Sequence, residues 1–250
     1  MAWLETESPS FTARHDAVDA QDAVEVLELL EGTRERLGSV FPALPEQVAV
    51  VLHGSPLALA LAQPYLPVLR ALTAPAGRRY LAGWFSVSEL HVLCPRLLEE
   101  RASQVPGSRE MLMLAPAALY AHLTVAHNNP LLPPPFRPGS LLRHLQWGWL
   151  TAGAAQYFSG QTGYARPAIA RRLREGSAPA FPPGLRDAAL LGGSVLDLLV
   201  RRRGVRAAVE LAVALHPAGP RRALVQAFDG APLMEIEGGW RAHLGHMAEP

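Results

Sequence analysis

Apolar residues repeat along this chain with two different periods, and each change of period marks out an element. From residue 17 to 37, Val24, Leu27, Leu30 and Leu37 form one stripe while Glu25, Glu28, Glu31 and Glu35 fall mostly outside it. This predicts an acidic amphipathic helix with His15-Asp16 as its N-cap region. Residues 9–14 predict a short strand before it, and Pro42 and Pro45 close the unit. Residues 47–53 (Gln-Val-Ala-Val-Val-Leu-His) are β-branched and apolar, which predicts a buried strand. Gly54-Ser55-Pro56 breaks the run, and a helical pattern continues to Leu72. Residues 80–85 and 87–94 predict two strands around a tight turn near Ser86.

Residues 101–109 have no period and predict a loop. A helix is expected from near Pro116, where the missing N–H costs nothing, to Asn128-Asn129-Pro130. It carries Leu119, Tyr120, Leu123, Val125 and His127. Pro133, Pro134, Pro135 and Pro138 predict a stiff linker over 131–139. A long helix then spans 140–158, followed by helices near 166–175, 186–202, 205–216 and 219–228. Four strands and two helices precede the helix near Pro116, and only helices follow. The expected fold class is therefore α+β, with a small mixed sheet and an all-helical C-terminal part. Residues 1–130 form the α/β part and 131–250 the helical part.

The composition narrows the function classes. With 250 residues, 49% hydrophobic content and a mean hydropathy of +0.10, the chain is too apolar to remain disordered. The length suits one large domain or a core with a small module. The formal net charge is only +1, so no global field calls for nucleic acid or an acidic membrane. The 23 basic residues are all Arg. Cys94 stands alone, so an internal disulfide and a cysteine zinc site are both excluded. No apolar stretch reaches about 18 residues, so no membrane span is expected. The acidic start, Met1-Ala2-Trp3-Leu4-Glu5, lacks a basic and then apolar leader. A reducing, cytoplasmic setting is the expectation.

Two segments carry the candidate chemistry. Leu123-Thr124-Val125-Ala126-His127 lies in an apolar helical run. Trp149-Leu150-Thr151-Ala152-Gly153-Ala154-Ala155-Gln156-Tyr157 lies in the long helix after the linker. The second resembles W-L-x-E-G-x-A-x-Y, and the first stands where H-E-x-x-H would be, as in gluzincin zinc peptidases of the peptidase MA-like group. That group opens with strand, long helix, strand, helix and hairpin before H-E-x-x-H. It closes with helices, for which Arg203-Gly204, Phe228-Asp229-Gly230 and Glu237-Gly238-Gly239-Trp240 stand in matching places. The resemblance puts Leu123 at the first His, Thr124 at the general-base Glu, His127 at the second His and Ala152 at the ligand Glu.

On this alignment the chemistry is removed and the frame kept. Leu123 and Ala152 have no donor atoms, and Thr124 is no base near neutral pH. A catalytic zinc needs about three protein ligands and an open position. No cofactor is expected, and zinc is the alternative, with His127 and His144 as candidate ligands. The spacing predicts that Leu123, His127 and Ala152 face one another, while His122 points to solvent or another helix. The resemblance implies a non-catalytic homologue whose cleft, near His127, Trp84, Trp149 and Tyr157, holds a peptide or protein segment. Strand 87–94, or its partner 80–85, is the candidate edge for pairing with it. The alternatives are an active zinc hydrolase with unusual ligands and an interaction protein with a vestigial cleft. Gly192-Gly193-Ser194 is expected to allow close helix packing, and Cys94 to be a buried small hydrophobe.

Overall fold

The structure, a computed structural model, describes residues 3–132, 141–175 and 177–249. The Pro-rich linker expected over 131–139 falls almost wholly outside the described residues. The chain opens with a hairpin, β1 (Leu4–Glu7) and β2 (Phe11–His15). A short 3-10 turn leads into α1 (Ala20–Gly38), then β3 (Val48–His53). Helices α2 (Pro56–Ala62), α3 (Tyr65–Leu72) and α4 (Pro75–Arg78) precede β4 (Gly83–Phe85) and β5 (Glu89–Leu93). Helices α5 (Pro95–Arg101), α6 (Ser108–Met113) and α7 (Ala115–Asn128) follow.

The remaining elements are helical. They are α8 (Leu141–Ser159), α9 (Gln161–Tyr164), α10 (Arg166–Arg174), α11 (Leu185–Arg203), α12 (Val205–Val213), α13 (Pro220–Ala227) and α14 (Leu233–Ala248). The fold class is α+β, as the sequence predicts.

One sheet has the order β1-β2-β3-β5-β4. The central strands β2, β3 and β5 are parallel, and β1 and β4 run antiparallel at the two edges. Phe11, Ala13, Val48, Val50, Leu52, Leu90 and Val92 are buried, which gives the period of two along the strands. The helix α7 is apolar nearly all round, because neighbours cover it on several sides. Its Tyr120 ring meets Phe11 edge-on at 5.0 Å, and its hydroxyl accepts from Arg34 of α1.

Three expectations are corrected here. The helical pattern ending at Leu72 is two helices, because Gln63-Pro64 interrupts it. The loop expected over 101–109 shrinks to the residues between α5 and α6. Strand 87–94 is not an edge: β5 sits between β3 and β4, so the edge on that side of the sheet is β4.

The tightest helix crossing is between α8 and α11. A side chain at Gly153 would lie 2.5 Å from the backbone of Gly192, and one at Gly192 would lie 2.4 Å from the Trp149 carbonyl. Gln156 locks the crossing by donating to the Ala189 carbonyl and accepting from the Gly193 N–H at 3.0 Å. Ser194 takes the Trp240 indole N–H at 2.8 Å. The expected packing role of Gly192-Gly193-Ser194 is thus seen directly.

Candidate functional site

A cavity of about 400 Å³ lies between α3, β4, α7 and α8. That volume falls within the range of small-molecule and side-chain pockets. The α7 wall is formed by Leu119, His122, Val125 and Ala126, and the α8 wall by His144, Gly148, Ala152 and Ala155. Trp84 and Phe85 come from β4, and Tyr65, Val68 and Leu72 from α3. Tyr65, Val68, Leu72 and Leu145 are exposed, so the cavity opens between α3 and α8. Among the described residues its lining holds no Asp, Glu, Arg or Cys.

The polar groups inside are few. His122 packs on the Phe85 ring at 4.3 Å between centroids. Burial, helped by the nearby His144, pushes the His122 imidazole down to about 3, so it stays neutral. Gln156 also reaches the lining but is committed to the α8–α11 crossing.

The edge strand supplies the other chemistry. Trp84 pairs with His91 across β4 and β5. Bonds from Ser86 to the Glu89 carbonyl and from Leu93 to the Ala82 carbonyl flank this pair on either side. The alternation of an antiparallel ladder then turns the backbone N–H and C=O of Gly83 and Phe85 outward, away from β5. No hydrogen bond from these outward groups is seen among the described residues. A Cβ at Gly83 would lie 2.5 Å from the His91 carbonyl oxygen and 2.5 Å from the end of the Leu119 side chain of α7, so this position has no room for a side chain.

The expected site is only partly assembled. Ala152 and Trp84 line the cavity, and so does His144. Leu123 and His127 do not. Leu123 is buried in the core away from the cavity, and His127 is exposed on the last turn of α7. Residues 119, 122 and 126 lie three or four apart and form the cavity face of α7 instead. The expected facing of Leu123, His127 and Ala152 is therefore corrected by one position, and His122 faces the cavity and not solvent.

Thr124 is fully buried and its hydroxyl donates back to the Tyr120 carbonyl at 2.9 Å. Trp149 is a core residue, 2% exposed, and its indole N–H has no partner among the described residues. Tyr157 lines a different cavity. Cys94 is fully buried, and burial pushes its thiol up to about 11. Sequence reasoning missed His122 because a single apolar helix carries no mark of which face meets the cleft.

A catalytic zinc is a poor fit to these residues. The cavity lining offers two imidazoles and neither a carboxylate nor a thiolate as third ligand. No group of three or more His, Cys, Asp and Glu gathers to hold a metal ion among the described residues. Among the described residues no helix is long and apolar enough to cross a membrane. Comparison with family models, curated proteins and solved structures finds no match to this chain.

Proposed function

We propose that this chain holds an extended segment of a partner protein along β4 without cutting it, as a non-catalytic homologue of gluzincin-type metallopeptidases. The single observation that carries the reading is the outward backbone of Gly83 and Phe85 at the mouth of an apolar cavity. A strand edge with outward N–H and C=O groups recognises another strand through main-chain bonds, and a neighbouring pocket selects a side chain. A lining of Trp84, Phe85, Leu119 and Val125 suits a large uncharged side chain such as Phe or Leu. The order of long helix, strand, helices and hairpin from α1 to β5 supports the metallopeptidase-like frame; the chain differs from that frame in that a hairpin opens it and α5 and α6 precede α7.

Among the described residues the lining has no carboxylate, and His122 is a weak base with an imidazole at about 3. A second reading, a zinc hydrolase with unusual ligands, draws only on His122 and His144 sharing one cavity.

The test is amide hydrogen exchange at Gly83 and Phe85 during titration with extended peptides carrying a central Phe or Leu. Both amides should gain protection, and the effect should vanish in Ala152→Trp, which fills the cavity. Peptides with a central Asp should bind at least about tenfold more weakly. If no peptide protects these amides, β4 is not a docking edge and an interaction protein with a vestigial cleft replaces the reading. Zinc content of the purified protein should be well below one per chain. Near-stoichiometric zinc, lost in His122→Ala and in His144→Ala, would favour the hydrolase.

A further inference from the structure

A second cavity, of about 510 Å³, shares no lining residue with the first. Its walls are Leu37 and Val40 at the end of α1, Tyr157 and Phe158 of α8, Val205 of α12 and Met247 of α14. Three guanidinium groups line it from three helices: Arg36 on α1, Arg166 on α10 and Arg201 on α11. One carboxylate, Asp197, accompanies them.

That carboxylate is already engaged. Asp197 accepts from Arg201 at 2.9 Å and from His243 at 2.8 Å. Burial opposes its ionisation, but bonds from His243 and Arg201 outweigh burial and hold the carboxyl below its ordinary range. Among the described residues Arg36 bonds only the neutral Thr33 hydroxyl, at 3.0 Å. Arg166 makes no ion pair among the described residues. Among the described residues two positive charges in a hollow of mixed polar and apolar lining therefore lack a counter-charge, and their field attracts anions.

The position of Arg166 adds an independent argument. It is the first residue of α10, and that helix has no acidic residue in its first turn. A cation there opposes the helix dipole, whereas an anion bound there would be stabilised by it. The residue is thus poorly placed for the stability of its own helix and well placed beside a bound anion.

We propose that this cavity binds a small organic phosphate, its phosphate group held by Arg36 and Arg166 and its apolar body against Phe158, Val205 and Met247. A phosphate monoester carries about −1.5 to −2 charges near pH 7, which matches the two uncompensated cations. The guanidinium fork pairs with phosphate oxygens through two parallel hydrogen bonds. A carboxylate brings half the charge, and inorganic phosphate lacks the body that the apolar wall would cover. The site is independent of peptide docking at β4.

The experiment is thermal melting of the full chain with phenyl phosphate, benzoate or inorganic phosphate, each against potassium chloride of equal ionic strength. Phenyl phosphate should raise the midpoint in a saturable way, and by more than either of the other anions. Arg36→Ala with Arg166→Ala should weaken the apparent affinity at least about tenfold. Arg109→Ala, whose side chain pairs with Glu99 elsewhere, should leave it unchanged. Both mutated arginines are exposed, so the unliganded variant should melt close to the parent. Arg166→Gln alone keeps the side-chain length and should weaken binding by a smaller factor. An equal shift with potassium chloride, or full affinity in the double variant, overturns the proposal.

Discussion

His122, on the cavity wall, and His53, in the core, show how much a single enclosed imidazole can decide. His53 is 4% exposed, and its Nε2 lies 3.0 Å from Nδ1 of His91. Its other nitrogen is buried without a partner among the described residues. Burial, reinforced by His91, pushes His53 down to about 4, as burial pushes His122 to about 3. An unfolded chain titrates its histidines near 6.5. Between about 6.5 and 4 the unfolded chain therefore takes up protons that the native chain refuses, so acid favours unfolding. The contribution of both residues is complete above about pH 6.5 and is lost as pH falls through that window. Urea melts between pH 7.5 and 4.5 should show a falling midpoint, with a shallower fall in His53→Gln. Equal slopes in parent and variant would mean that His53 is not held neutral. At this scale the sequence was least legible. Apolar surroundings alone do not say which histidine of His122 and His127 is enclosed, since the answer depends on α8 and β4.

The elements were more legible than the residues, with failures that have physical causes. The two helices α7 and α8 stand close to where period and proline placed them. The sequence predicts one short strand where the hairpin β1–β2 stands, because Leu4–Glu7 is mostly exposed and lacks an apolar face. The sequence makes β5 a candidate edge because chain order does not reveal the exchange of β4 and β5 in the sheet. The glycine pair at the α8–α11 crossing makes a sharp prediction. Gly153→Ala gains helix propensity but drives a methyl into the Gly192 backbone, so a net loss of about 1–3 kcal/mol is expected. Gly238→Ala in α14 meets nothing within 4 Å and should stabilise by up to about 1 kcal/mol. Denaturant midpoints of the two variants should move in opposite directions.

Across the whole molecule, the α/β and helical parts share one interior. Helix α7 packs on the sheet and on α8, and Asn129 donates to the Ala212 carbonyl at 2.9 Å. The Ala74 N–H reaches the Arg186 carbonyl at 2.9 Å. A buried Arg172–Asp187 pair, with two bonds at 2.7 and 2.8 Å, ties α10 to α11. Unfolding should therefore be a single transition, with helical circular dichroism and tryptophan fluorescence changing together. Separate midpoints would show that residues 1–130 and the helices after them melt independently. Composition and order of elements made the α+β class legible, whereas the shared interior rests on contacts between distant segments that no local pattern encodes.

The glycine crossing also settles which wall of the first cavity can give way. With Gly153 seated against Gly192 and Gln156 bonded twice to α11, α8 has little room to slide or turn on that helix. The opposite wall is lightly moored: α3, which lines the cavity with Tyr65, Val68 and Leu72, buries only Leu66 fully. Elements with so few buried anchors open at low free energy. Helix α8 is the door frame and α3 the door, so a guest bulkier than the empty cavity would enter by swinging Tyr65, Val68 and Leu72 aside while β4 and α7 stay in place.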